Sequence, residues 1–110
     1  MSHFTKINAF VELAEVHATF TQNLYKTAKP ISEEKLRKCS ATVFTYRDVD
    51  GDIVYLLKSY NTIVAMVDEK GDGIDFLRYV YGYTATSAQH IRKFFDDYCK
   101  EGAHIFVYKP

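Results

Sequence analysis

Apolar residues recur along the chain with two different periods. Over 5–26, Ile7, Phe10, Leu13, Ala14, His17, Phe20 and Leu24 fall at three- and four-residue steps, the period of a helix with one buried face. Thr5 stands at the position of a cap. Ala9, Val11, Val16 and Ala18 widen the apolar face, so this helix is expected to be well covered or broken near His17–Thr19. Lys29-Pro30 ends it, because the residue before a proline is pushed out of the helical region. Ser32 then predicts the cap of a short helix, Glu33 to Lys38, with both acids in the first turn where the macrodipole favours them.

From residue 41 the period changes to that of strands. Residues 41–47 and 53–58 are β-branched and aromatic. They flank Asp48-Val49-Asp50-Gly51-Asp52, and an Asp-Gly pair between such runs is a strong hairpin signal, both turn residues being expected at positive φ. Ser59-Tyr60-Asn61 is a second turn, Thr62 to Val67 a third strand, Asp68 to Gly73 a third turn, and Ile74 to Tyr81 a fourth strand. Thr86-Ser87-Ala88-Gln89 fits a capping box in which Thr86 accepts from the amide of Gln89. The helix behind it, 87–101, carries Ile91, Phe94, Phe95, Tyr98 and Cys99 as one stripe. Gly102 stops it, and Ala103 to Tyr108 is a last strand. The order predicts one α+β domain over 1–110: a helical N-terminal part, 1–38, and a sheet over 41–108. That sheet is an antiparallel meander of about four strands with the capped amphipathic helix and a final strand.

Composition narrows the functional classes. Apolar residues make up 47% and charged residues 25%, ordinary for a folded domain, and one domain of 110 residues buries a core without metal or disulfide staples. Tyr 9 and Phe 8 with no Trp favour strands and half-wet surfaces. The net charge of zero argues against bulk attraction to nucleic acid or anionic membrane. No apolar run spans a bilayer, and Met1 to Lys6 lacks the pattern of a signal peptide. The two cysteines, Cys39 and Cys99, then read as reduced thiols of a cytoplasmic protein. Cys and His show no metal-ligand spacing, and no cofactor is expected.

Two ends of the sheet stand out. Hairpin strands alternate in direction, so the first and third turns share one end. They bring together Asp48, Asp50, Asp52, Asp68, Glu69 and Asp72, six of the fourteen acids, against Arg47 and Lys70. Acids commonly solubilise hairpin tips; the functional alternative is a docking face for a basic partner. Asp48-x-Asp50-x-Asp52 mimics the start of a calcium loop, but its glycine comes early and Ser59 stands where the bidentate Glu belongs. The opposite end collects Tyr60, Asn61, Tyr83, Thr86 and His90 at the start of the last helix. Thr84, Thr86 or Ser87 with His90 supplies two members of a nucleophilic site, and Asp97 or Glu101 is left as a candidate third. Capping and turn chemistry explain the same residues. Lys26, Lys29, Lys35, Arg37 and Lys38 form a basic cluster, and Tyr79, Tyr81 and Tyr83 alternate along the fourth strand, a pattern that stacks bases where it is exposed and fills a core where it is covered.

One stretch resembles a known kind of module. Ser59, Tyr60, Thr62, Val64 and Ala65, followed by Tyr83, Thr86, Ser87, His90 and Ile91, are similar to a Ser-Tyr-x-Thr-x-Val-Ala strand and a Tyr-x-x-Thr-Ser-x-x-His helix start. These occur in small accessory proteins of phages and mobile elements. The likeness covers 53–95 and assigns no catalytic residue. It implies a setting in which small proteins bind and block host defence components, as anti-CRISPR proteins do. The expectation is therefore a non-enzymatic inhibitor of a host protein, a nucleic-acid-handling defence enzyme. A nucleic-acid-binding regulator is the alternative, and an enzyme centred on His90 a third. A homodimer suits any of them, since Lys58 and Arg78 are the only evident edge protection.

Overall fold

The computed structural model describes residues 16, 18–36, 40–47, 50–80 and 84–107. It is an α+β protein built on a six-stranded sheet with strand order β1-β2-β3-β4-β5-β6. The elements are α1 (18–27), β1 (Ser32–Lys35), β2 (Thr42–Arg47), β3 (Ile53–Ser59), β4 (Thr62–Val67), β5 (Gly73–Asp75), α2 (Leu77–Val80), α3 (Ala85–Tyr98) and β6 (Ile105–Val107). β1 to β5 form an antiparallel meander, and β6 returns parallel to β5 after the two helices.

Strand alternation divides the apolar residues between two faces. Val43, Leu57, Val64, Ala65 and Val67 join Leu77, Ile91 and Phe94 in the cluster under α3. Phe44, Tyr46, Val54, Leu56, Ile63, Met66 and Ile74 join Ala18 and Phe76 on the other face, with Leu24, Tyr25 and Ala28 of the α1 segment packed against them. Helices therefore cover the sheet on both sides, which is why β4 reads Thr-Ile-Val-Ala-Met-Val with only its first residue not fully buried.

β4 also carries one extra residue. Its pairing with β3 passes from Leu57↔Ala65 to Lys58↔Ile63, so Val64 is a β-bulge. The bulge turns Val64 and Ala65 to the same cluster. Its neighbouring carbonyls are satisfied from outside the pair: Ile63 O accepts from Gln22 Nε2 at 3.1 Å, and Val64 O accepts from the Phe76 amide at 3.0 Å.

Four local expectations are corrected. Ser32 to Lys35 is an edge strand, not a helix: Glu33 lies opposite Phe44 and Glu34 opposite Val43, and pairing with β2 outweighs helical propensity in so short a stretch. The fourth strand stops at Asp75, whose Oδ1 accepts the Leu77 amide at 3.0 Å and starts α2. Tyr79 thus belongs to a helix and not to the expected strand; Tyr81 and Tyr83 lie outside the described residues. The cap of α3 is Thr84, which accepts from the Ser87 amide at 3.2 Å; Thr86 is an exposed residue of the first turn. At its other end α3 stops at Cys99, with the Cys99 amide donating to Phe95 O. Gly102 instead serves the turn closed by Ala103 N donating to Lys100 O at 3.2 Å, at φ 76°. The helix expected over 5–26 is seen from residue 16 and ends before Lys29-Pro30; Ile7, Phe10, Leu13, Ala14 and His17 lie outside the described residues, as do Arg37, Lys38 and Cys39.

Candidate functional site

The meander places the β2–β3 and β4–β5 connections at one end of the sheet, where the acids were expected to gather. Arg47 pairs with Ile53, so the first connection is the five-residue stretch 48–52 that the flanking strands predict. Gly51 has φ 87°, and Arg47 Nη1 donates to Gly51 O at 2.7 Å. Asp50 and Asp52 are exposed; Asp48 lies outside the described residues.

The second connection is more tightly built. Asp68 Oδ1 accepts from the amides of Lys70 at 2.9 Å and Asp72 at 3.0 Å. Asp72 Oδ1 accepts from the His104 amide at 3.0 Å. The Lys100 amide donates to Gly71 O at 3.1 Å, and the Lys100 stem lies over Gly71 so closely that a Cβ there would meet it at 2.8 Å. Two of the acids thus organise backbone. Glu69 is exposed at the tip and makes no hydrogen bond or ion pair with the described residues. Lys100 and His104 join Arg47 and Lys70 at this end, so it is less one-sided than the turns alone implied.

Beside this turn lies a cavity of about 470 Å³. Val54, Met66, Ile74 and Phe106 of the sheet form its floor, Val16 and Phe20 of the α1 segment one wall, and Asp68, Glu69, Lys70 and Asp72 its rim. Val16 is 61% exposed and Phe20 39%. An apolar floor with a few convergent polar groups is the usual form of a binding site. The periodicity of 5–26 and the alternation of β3 to β6 name every floor and wall residue as apolar. That they meet beside the acidic turn follows only from the crossing of α1 over the sheet, which no local pattern encodes.

The opposite end holds His90, Ser59 and Ser87. Ser59 Oγ lies 2.9 Å from His90 Nδ1 and 2.9 Å from Ser87 Oγ. All three side chains are buried, at 4%, 3% and 1% exposure. Burial, and then the charge of Lys93, lowers the His90 pKa from its ordinary value, so the ring is neutral at pH 7. The chain of contacts ties the end of β3 to the first turn of α3. Among the described residues no carboxylate bonds His90; Asp97 is seven residues further along α3, about 10 Å up the axis. Asn61 is exposed, Tyr83 lies outside the described residues, and Thr86 faces solvent. Tyr60 is 51% exposed, its ring 6.1 Å from that of His90. Ser59 pairs with Thr62, so Tyr60-Asn61 is a two-residue loop, and Tyr60 has φ 57° at a position that favours Gly.

Residues 16–106 match DUF8033, a family of unknown function. The chain belongs to that family. The match takes in α1, the sheet up to Phe106 and α3, and therefore both ends just described. No curated protein and no solved structure matches the chain. Among the described residues no helix is long and apolar enough to cross a membrane, and no three His, Cys, Asp or Glu side chains converge as metal ligands.

Proposed function

We propose that this DUF8033 member is a non-enzymatic binding protein that docks a partner protein at the acidic end of its sheet. We place it, as the resemblance over 53–95 implies, among the small phage and mobile-element proteins that inhibit a host defence enzyme. The observation that carries the reading is the cavity of about 470 Å³ with an apolar floor and the rim Asp68, Glu69, Lys70 and Asp72. An acidic rim suits an enzyme surface that ordinarily grips phosphate, because complementary charge gives specificity and fast association. Burial of Ser59, Ser87 and His90 supports the same reading: these residues are spent on joining β3 to α3. The nucleic-acid alternative loses support, because Glu33 and Glu34 are exposed beside Lys35 on the edge strand and Tyr79 lies in a helix.

The test separates charge from folding. Asp68→Asn, Glu69→Gln and Asp72→Asn together remove three charges while each Asn keeps the oxygen that accepts the turn amides. The folded variant is expected to lose inhibition of a nucleic-acid-targeting defence system in co-expressing cells, by about tenfold or more for three charges at an interface. Full inhibition by the folded variant removes the proposal.

A further inference from the structure

The two edges of the sheet differ. β1 ends the sheet with Glu33, Glu34 and Lys35, all exposed, the usual protection against pairing with another chain. β6 ends it on the other side with Ile105-Phe106-Val107 and no charge. Ile105 is 45% exposed. Phe106 belongs to the α1 face, where it floors the cavity.

The ladder shows which groups of β6 point away from β5. Gly73 lies opposite Ile105, and its amide donates to His104 O at 2.9 Å. In a parallel pair the residue that bonds both neighbours of its partner leaves that partner's own groups pointing away. The amide and carbonyl of Ile105 therefore face outward, and those of Val107, two residues on, do the same. Gly73 allows the close approach behind this edge: a Cβ there would meet Ile105 Cδ1 and Phe95 Cε1 at 2.8 Å.

Resting on the reading of the acidic cavity as a docking surface, we propose that the partner binds by strand addition. An extended segment of the partner protein pairs with the outer edge of β6 and alternates apolar with basic residues. Main-chain bonds to Ile105 and Val107 supply the pairing, and alternate side chains supply the choice of partner. The apolar side chains of the segment lie beside Ile105 and Val107 on the α3 face, and the basic ones project on the α1 face past Phe106. A Lys or Arg of the segment reaches Glu69 at the rim. A segment with acids in those places meets like charge.

The probe is a synthetic ten-residue peptide alternating Lys and Val, with a Glu-Val version and an alternately N-methylated Lys-Val version as controls. Amide exchange and binding are read together on the full chain. The Lys-Val peptide is expected to slow exchange at Ile105 and Val107 by about tenfold, and neither control is expected to do so. Ile105→Pro removes an outward amide and no bond to β5, and it should weaken binding by about tenfold or more. Ile105→Lys keeps the backbone and adds a like charge, so it gives the same loss if the proline variant fails to fold. Binding that survives both variants with exchange at Ile105 and Val107 unchanged overturns strand addition and leaves the docking surface standing. Equal binding of the Glu-Val peptide, no binding of any peptide, or a free chain already dimeric through a protected β6 also overturns the proposal. Loss of inhibition in the charge-neutral rim variant is read separately, so the two ideas fail independently.

Discussion

Single side chains decide what the motif-bearing end of this molecule is for. His90 lies buried with Nδ1 on Ser59 and its pKa lowered, first by burial and then by Lys93. A histidine whose folded pKa lies below its unfolded value contributes stability at pH above the unfolded value of about 6.5. That contribution is lost as pH falls below it, because the unfolded chain then takes up the proton first. His90→Leu is expected to cost about 1–2 kcal/mol at pH 7.5, the usual price of a hydrogen bond lost in a buried set. The difference between variant and wild type should shrink at pH 5.5, measured by denaturant unfolding at both values. A difference that stays constant with pH would show that the ring does not titrate as placed. Tyr60 presents the opposite situation. Its φ of 57° is unfavourable for a bulky side chain by roughly 1–2 kcal/mol. Tyr60→Gly is therefore expected to raise stability by about 0.5–1 kcal/mol, part of the strain relief being offset by the looser unfolded chain. A loss of stability in thermal melts would mean that the ring's contact with His90 outweighs the strain.

At the scale of elements, the patterns that read correctly were those in which local and tertiary preferences agree. Ile91, Phe94, Phe95 and Tyr98 form a helical stripe, and they meet the sheet as one face of α3. Residues 42–47 and 53–58 have strand composition and pair over their whole length. Ser32 to Lys35 failed for the opposite reason. Ser-Glu-Glu-Lys has the composition of a helix start, and only the exposed hydrogen-bonding edge of β2 makes it a strand. The third turn was legible from Gly71 and Gly73, but the roles of Asp68 and Asp72 as backbone acceptors were not, since His104 reaches Asp72 from 32 residues away. Thr84, Thr86 and Ser87 all carry acceptors within four residues, and the Gln89 pattern points to Thr86 whereas Thr84 makes the capping bond. That correction can be checked directly. Thr84→Ala is expected to destabilise the protein by about 1 kcal/mol, as loss of a helix cap does. Thr86→Ala, at an exposed helical position, should change stability by less than about 0.5 kcal/mol. Chemical denaturation of the two variants distinguishes the caps, and the reverse order would restore Thr86.

Across the whole molecule, sequence order tells which turns share an end of the sheet, but not what else arrives there. The acidic end receives the C-terminus of α3 and the start of β6, and Cys99 is where these contributions meet. Its thiol pKa is pushed up to about 11 by burial first, then by Asp72, Asp68 and Asp96. Asp68 and Asp72 belong to a turn nearly thirty residues earlier, so the thiol reports on long-range assembly. Reactivity follows the thiolate. At pH 8 a shift of this size lowers the thiolate fraction by about two decades. The greater nucleophilicity of a more basic thiolate returns about one decade. In a Cys39→Ser background, alkylation of the folded protein at pH 8 is thus expected to run about tenfold slower than in denaturant. The charge contribution has a sign of its own. Carboxylates near a thiol disfavour the thiolate, so the Asp68→Asn, Glu69→Gln, Asp72→Asn variant should lower the Cys99 pKa and label faster than wild type. Equal folded-state rates for variant and wild type, with both proteins equally stable, would show that the carboxylates do not act on Cys99. A faster variant with unchanged stability would establish that the turn, the helix end and the last strand share one electrostatic environment, the environment in which an incoming basic segment would be received.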